Sequence, residues 1–192
     1  EGDVVASAKQ RVTVIGVELP KQKIMHTEWM HADCLADYYH VDVFSEEHWK
    51  ILENYFKEYV KRGCNMMLTP LFTSPLDTAV GLERTTTQLI KVEVVKGEYR
   101  FEFSELKRWI DLCKKCGIEY YEMSHLFSQW GAKYAPKVVA EVDGKEEKIF
   151  GWHTQAVGEY TRFLKAFLPQ LIEKLKEWNI DQVTYFHISD EP

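Results

Sequence analysis

"SEEHWKILENYFKEYVKRGCNMMLTPLF", residues 45–72, changes its period partway along, and that change decides the fold class. Up to Gly63 the apolar residues Ile51, Leu52, Tyr55, Phe56, Tyr59 and Val60 recur at helical spacing, so one stripe of a helix faces a core. Ser45 is placed to cap the first turn, and Glu46 and Glu47 suit the positive end of the helix dipole. Gly63 can take the left-handed conformation that ends a helix. The residues that follow, "CNMMLTPLF" at 64–72, read as a strand. A helix that runs directly into a strand is the repeating unit of an α/β fold.

The same alternation extends in both directions. Upstream, "RVTVIGVELP" (11–20) alternates like a strand and stops at Pro20, and "KIMHTEWMH" (23–31) is a second extended candidate. Downstream, "QLIKVEVVKGEYRFEF" (88–103) predicts a hairpin turning at Lys96 and Gly97. Ser104 is placed to cap a second helix, with Leu106, Trp109, Ile110 and Cys113 on its apolar face and Gly117 at its end. A third strand, "IEYYEMSHLF" (118–127), leads to a second hairpin around "VDGKE" (142–146). A third helix then starts near Thr154 and carries Phe163, Leu164, Phe167, Leu168, Leu171, Ile172, Leu175 and Trp178. Pro169 removes a donor inside it and predicts a kink or a split. Asn179 can close it, and "DQVTYFHIS" (181–189) supplies a fourth strand.

Strand–helix units in series argue for parallel pairing through right-handed crossovers. Both long insertions leave a strand and enter a helix, the connections that build the active-site face of a (β/α) barrel. An eight-stranded barrel takes about 250 residues, and this chain shows four strand–helix positions. The predicted fold is therefore α/β, the first half of a TIM-type (β/α)8 barrel with hairpin insertions after strands two and three. An open doubly wound sheet is the alternative, weakened because no Gly-rich phosphate loop follows any strand. Four strands also leave two open edges and an uncovered inner face, which predicts self-association and no activity for residues 1–192 alone.

Composition narrows the function classes. The 192 residues are 45% hydrophobic and 28% charged, as in a soluble globular chain rather than a disordered one. Net charge is −6, and no Lys/Arg cluster interleaves with the aromatics, which argues against nucleic acid as a partner. No apolar run approaches the roughly 20 residues of a membrane span. No basic-then-apolar leader opens the chain. Of the four cysteines, Cys113 and Cys116 share a C-x-x-C spacing, but inside a helical pattern and with no second pair, so a core role for Cys113 is the better reading. That usage suits a reducing, cytoplasmic compartment better than an oxidising one.

Polar residues collect where a barrel places its chemistry. The first strand region ends in Glu28, Trp29, His31 and Asp33, and the second runs into Thr69, Asp77 and Thr78. The third gives Glu122, His125, Gln129 and Trp130, and the fourth gives His187, Ser189, Asp190 and Glu191. Each has a bland explanation alone, because a buried His is usually hydrogen-bonded structure and a Trp is usually core. Acids, imidazoles and indoles meeting at one end of four strands favour a pocket. Two neighbouring carboxylates cannot both ionise freely, a division that glycoside hydrolysis uses, but the Asp190–Glu191 pair taken alone reads better as a capped strand end with solvated acids.

Six motifs in order carry a family resemblance: "HTEWMHADCLADYY", "LTPLFTSPLDT", "GLERTTTQL", "HLFSQWGA", "IFGWHT" and "YFHISDEP". Over roughly residues 18–192 the chain resembles glycoside hydrolase family 123, the β-N-acetylgalactosaminidases, whose wider group was first described as a domain of unknown function. The resemblance implies a β-sandwich ahead of a (β/α)8 catalytic barrel. Residues 1–20 would then be the end of that sandwich or a linker, and 21–192 the N-terminal half of the barrel. It also implies that Asp190 and Glu191 are the catalytic pair of a retaining, substrate-assisted mechanism through an oxazolinium-type intermediate. The expected substrate is a glycan or glycoside with a terminal β-linked N-acetylhexosamine, with no cofactor and no metal. Trp29, Trp130 and Trp152 are candidate walls for the sugar, and Asp77, His125, Gln129 and His187 candidate partners of its hydroxyls. Two rivals remain: a non-catalytic carbohydrate-binding relative, and a metal-dependent barrel hydrolase using His31, Asp33, His125 and His187, for which His-x-Asp is a weak signal.

Overall fold

A computed structural model describes residues 3, 5–18, 20–21, 23–76, 79, 81–129 and 131–188. Its elements run α1 (Ala32–Tyr39), α2 (Glu46–Lys61), β1 (Met66–Thr69), β2 (Lys91–Val95), β3 (Glu98–Glu102), α3 (Ser104–Cys116) and β4 (Tyr120–Met123). They continue with β5 (Val138–Val142), β6 (Lys145–Phe150), α4 (Glu159–Glu177), a 3-10 turn (Asp181–Val183) and β7 (Thr184–Phe186).

β1, β4 and β7 form a parallel sheet in that order, with Leu68 opposite Glu122 and Glu122 opposite Tyr185. Helices interrupt the chain between successive strands of this sheet, as the strand–helix pattern predicts. The period reading of α3 is also correct, and that of α2 holds in part, with Tyr55 38% exposed and Trp49, off the predicted stripe, buried. Leu52 and Phe56 of α2, and Leu106, Trp109, Ile110 and Cys113 of α3, are buried in the common core. Ser45 caps α2 by accepting the His48 N–H, and Gly117 ends α3 at φ 94°.

The two hairpins turn where the sequence places them. Lys96 (φ 53°) with Gly97 (φ 82°), and Asp143 (φ 48°) with Gly144 (φ 80°), both take positive φ at the two central positions. Such turns match the right-handed twist of the flanking strands. Their pairing with each other is not legible in the sequence. β2 lies parallel to β5, so the two insertions form one four-stranded sheet in the order β3-β2-β5-β6. Gln88 holds that junction, its amide donating to the Ile90 and Val139 carbonyls and its oxygen accepting the Val139 N–H. α4 packs Phe163 and Phe167 against Phe101 of this sheet and Phe72 of the β1 loop.

Several expectations need correction. Among the described residues of 11–20 there is no strand; Val12, Val14, Ile15 and Val17 are all more than 70% exposed, so their alternation meets nothing to bury it. Residues 24–30 run extended beside β1 without entering its ladder. Asn65 and Met66 both donate to the His26 carbonyl at 3.1 Å, and the Asn65 side chain bonds His26 N–H and the Ile24 carbonyl. The Tyr59 hydroxyl accepts the Glu28 N–H at 2.7 Å, fastening the segment to α2. Among the described residues the parallel sheet thus has three ladder strands where four were expected. α1, unexpected from the sequence, forms because Ala32, Leu35 and Ala36 put a short apolar face on the core.

At α3 the N-cap is Phe103, and Glu102 does the capping by accepting both the Ser104 N–H and its hydroxyl. α4 begins at Glu159, after a turn in which Gly158 has φ 64°, and not near Thr154. Pro169 does not split it, because Pro169 and Lys165, four residues earlier, lie on the solvent side, where a freed carbonyl can be hydrated. Among the described residues of the predicted fourth strand, only Thr184–Phe186 joins the ladder.

α1 and α2 are joined by the buried His48. Its Nδ1 accepts the Phe44 N–H at 2.9 Å and its Nε2 donates to the Ala32 carbonyl at 3.0 Å, a neutral ring satisfied on both nitrogens. Burial pushes its pKa below the ordinary 6.5. The unfolded chain therefore takes up a proton at this position before the folded chain does. Its contribution to stability is complete above the ordinary pKa and declines as pH falls toward the lowered one. Melting temperatures recorded between about pH 7.5 and 5.5 should fall for the wild type, and fall less for His48→Gln. Parallel pH profiles for the two proteins would show that His48 is not the group responsible.

Candidate active site

Strand alternation decides which side chains face which layer. Tyr121 and Met123 point into the buried core, and burial raises the Tyr121 hydroxyl pKa above its ordinary value. Tyr120 and Glu122 take the opposite face of β4, where Tyr120 meets Tyr185 of β7 with ring centroids 6.5 Å apart. His187, two residues past Tyr185, returns to that same face.

Glu122 is only 6% exposed, which an isolated carboxylate would not tolerate, and it is satisfied by two donors. The Trp29 indole N–H points at both of its oxygens at 3.2 Å, and His187 Nδ1 lies 2.8 Å from Oε1. A carboxylate only accepts, so this contact calls for a proton on His187 Nδ1. The His125 ring is 3.8 Å from that of His187 at 35°, and meets the Trp29 ring edge-on at 5.3 Å. Trp29 and His187 are themselves 5.6 Å apart. One carboxylate, two imidazoles and an indole from three distant segments thus meet at the C-terminal end of the parallel strands. Such a set can offer ring faces to the C–H face of a sugar and imidazole nitrogens to its hydroxyls.

A second buried polar knot fixes the loop on the same side. Arg84 grips Asp33 bidentately, Nε to Oδ2 at 2.7 Å and Nη2 to Oδ1 at 3.1 Å, with both side chains under 10% exposed. Arg84 also donates to the Leu76 carbonyl and to Cys34 Sγ. Next to it, Thr85 bonds Asp37 of α1, while Glu83 pairs with Lys137 and Lys148 from the hairpin sheet. Loop 81–88 is thereby stapled between α1 and that sheet.

Of the residues singled out from sequence, Trp29, His125 and His187 come together around Glu122. Gln129 lies half-buried on the loop after β4. Trp152 is 8% exposed, and its ring packs on Tyr134 rather than joining the rings around Glu122. Asp77, Trp130, Asp190 and Glu191 lie outside the described residues. The set proposed for metal binding is divided, with Asp33 taken by Arg84 and the two imidazoles stacked beside Glu122. Among the described residues no three His, Cys, Asp or Glu side chains are grouped to hold a metal ion. Nor is any described helix long and apolar enough to cross a membrane. All four cysteines are free thiols, and burial drives the Cys113 pKa well up, consistent with a core residue.

Sequence reasoning placed Glu122 at the rim without giving it a role, and gave none to Arg84. A lone acid within "YYEM" was the available signal for the first, since a strand buried on both sides admits a carboxylate only if something pairs with it.

Residues 29–192 match the family described as glycoside hydrolase 123, catalytic domain. A comparison with curated proteins found no match. Among solved structures, the fold is similar to that of a family 123 glycoside hydrolase from Clostridium perfringens, studied for its hydrolysis of glycolipid glycans, with a TM-score of 0.62 and 22% identity. That similarity covers 82% of this chain and 28% of the other, so the present chain spans well under half the length of the protein it resembles.

Proposed function

The chain belongs to glycoside hydrolase family 123, and from that premise we propose that it carries part of the catalytic centre of a glycosidase. The substrate is a glycan ending in β-linked N-acetylgalactosamine or a related N-acetylhexosamine. The observation that carries this reading is the Trp29–Glu122–His125–His187 cluster at the C-terminal ends of the parallel strands. The strand that delivers His187 leads directly into Asp190 and Glu191. In this reading β1, β4 and β7 are the second to fourth strands of a (β/α)8 barrel, segment 24–30 stands in the first position, and residues 1–20 end an upstream β-sandwich or form a linker.

The chemistry is the one that the resemblance to family 123 implies for the paired acids. Glu191 gives its proton to the glycosidic oxygen while the sugar's acetamido oxygen attacks the anomeric carbon, breaking the bond to the leaving group. Asp190 holds the acetamido N–H and stabilises the resulting oxazolinium. The Glu191 carboxylate then takes a proton from water, which opens the ring with net retention. No cofactor enters. A polypeptide containing residues 1–192 and hydrolysing aryl β-N-acetylgalactosaminides should be inhibited competitively by the thiazoline of N-acetylgalactosamine, a stable mimic of the cyclic intermediate. A sugar trapped covalently on a protein carboxylate would overturn the mechanism, and cleavage confined to substrates without a 2-acetamido group would overturn the substrate class.

A further inference from the structure

We propose that Glu122 is a positioning residue, one that fixes the protonation pattern of His187 and the seat of Trp29 so that both present defined surfaces to the sugar. The role in turnover rests on the glycosidase reading; the orientation of the ring does not.

Glu122 sits on the middle strand of the parallel sheet, the position least free to move, and is almost fully buried. Its two hydrogen-bond partners are 93 and 65 residues away in sequence, one on segment 24–30 and one just past β7. Neither partner segment is held by a long strand ladder of its own, although Asn65, Met66 and Tyr59 fasten segment 24–30 near β1 and α2. Segment 24–30 lies outside the ladder, and β7 has only three residues in it. The carboxylate is thus a tie between two segments that lack a long ladder to the middle strand.

The tie also selects chemistry. With a proton directed to Glu122, the His187 ring in its neutral form leaves Nε2 as an acceptor, and the side chain is 30% exposed. An acceptor nitrogen at that edge suits a sugar hydroxyl as donor. The opposite tautomer would turn Nδ1 into a second acceptor facing a carboxylate, so Glu122 disfavours it. His125, whose ring centre is 3.8 Å away, limits tilting of the ring, and Trp29 meets both imidazoles edge-on, at 5.3 Å from His125 and 5.6 Å from His187. A carboxylate, an imidazole and an indole held this way form a preorganised wall rather than three adjustable side chains.

Long-range proton–nitrogen NMR of histidine-labelled protein reports which ring nitrogen carries the proton, with His187 assigned by the signal lost in His187→Phe. The wild-type chain is expected to show His187 protonated on Nδ1. A ring protonated on Nε2 alone overturns the proposal whatever the variants do. In Glu122→Ala the ring should revert to the Nε2–H form. In Glu122→Gln the amide oxygen can still accept from Nδ1, so the tautomer should persist. In an active polypeptide containing these residues, kcat/KM should fall about 10²-fold for the alanine variant and clearly less for glutamine. Equal loss in both variants, in proportion to their loss of melting temperature, would mark Glu122 as merely structural. A wild-type protein inactive on every N-acetylhexosaminide, yet showing the Nδ1–H ring and its reversal in Glu122→Ala, would sink the glycosidase reading and keep the orienting role.

Discussion

Glu191→Gln is expected to reduce turnover of poor-leaving-group substrates by about 10²–10⁴-fold, the usual contribution of a general acid. The test requires an active polypeptide that contains residues 1–192. The amide keeps the shape of the side chain and cannot give up a proton. Aryl glycosides with very good leaving groups need no protonation of the departing oxygen, so their first step should be hurt much less. The two substrate classes should therefore separate in the variant and run close together in the wild type. Equal loss on both would remove Glu191 from the role of acid. Asp190→Asn provides the contrast. If Asp190 holds the acetamido N–H and stabilises the cyclic cation, its loss should slow both classes of substrate alike.

The second large effect concerns stability. Asp33→Ala leaves the Arg84 guanidinium buried without its carboxylate, and removing one partner of a buried pair costs about 3–5 kcal/mol. The pair is bidentate, and both side chains are nearly excluded from water, so screening by solvent is small. Arg84→Met with Asp33→Leu together should be milder than Asp33→Ala alone, because no uncompensated charge then stays inside. Denaturant unfolding at neutral pH measures both. A loss below about 1 kcal/mol for Asp33→Ala would mean that the pair behaves as an exposed ion pair. Loop 81–88 should loosen on its α1 side, while Glu83 still pairs with Lys137 and Lys148. Hydrogen exchange across the loop would show that asymmetry.

Much of the fold was legible because it depends on short windows of sequence. The stripe of α3 and part of that of α2, the Ser45 cap, the stop at Gly117 and the two hairpin turns each need only neighbours within a few residues, and each is where the pattern puts it. The strand regions of β1, β4 and β7 were found for the same reason, though each was read several residues too long. Periodicity shows where a segment is apolar but not where its ladder partner ends. The alternation of 11–17 forms no strand among the described residues, since period alone cannot say whether a surface exists to bury it.

The candidate site divides along the same line. The residue types at the strand ends, and the motifs that mark family 123, are properties of the sequence. Which of those residues meet is not. Trp29 and Glu122 stand 93 residues apart, Glu122 and His187 65, and Arg84 and Asp33 51. The parallel contact of Glu93 with Glu141 joins two hairpins that local reading treats as separate insertions. No local preference encodes such pairings. They form because a buried carboxylate or guanidinium must find its donor or acceptor, and because an open strand edge must be covered. The sequence by itself determined the elements, their order and the inventory of chemical groups. Tertiary packing alone decided that Glu122, in the sequence one acid among several at the strand ends, is the residue around which the others gather.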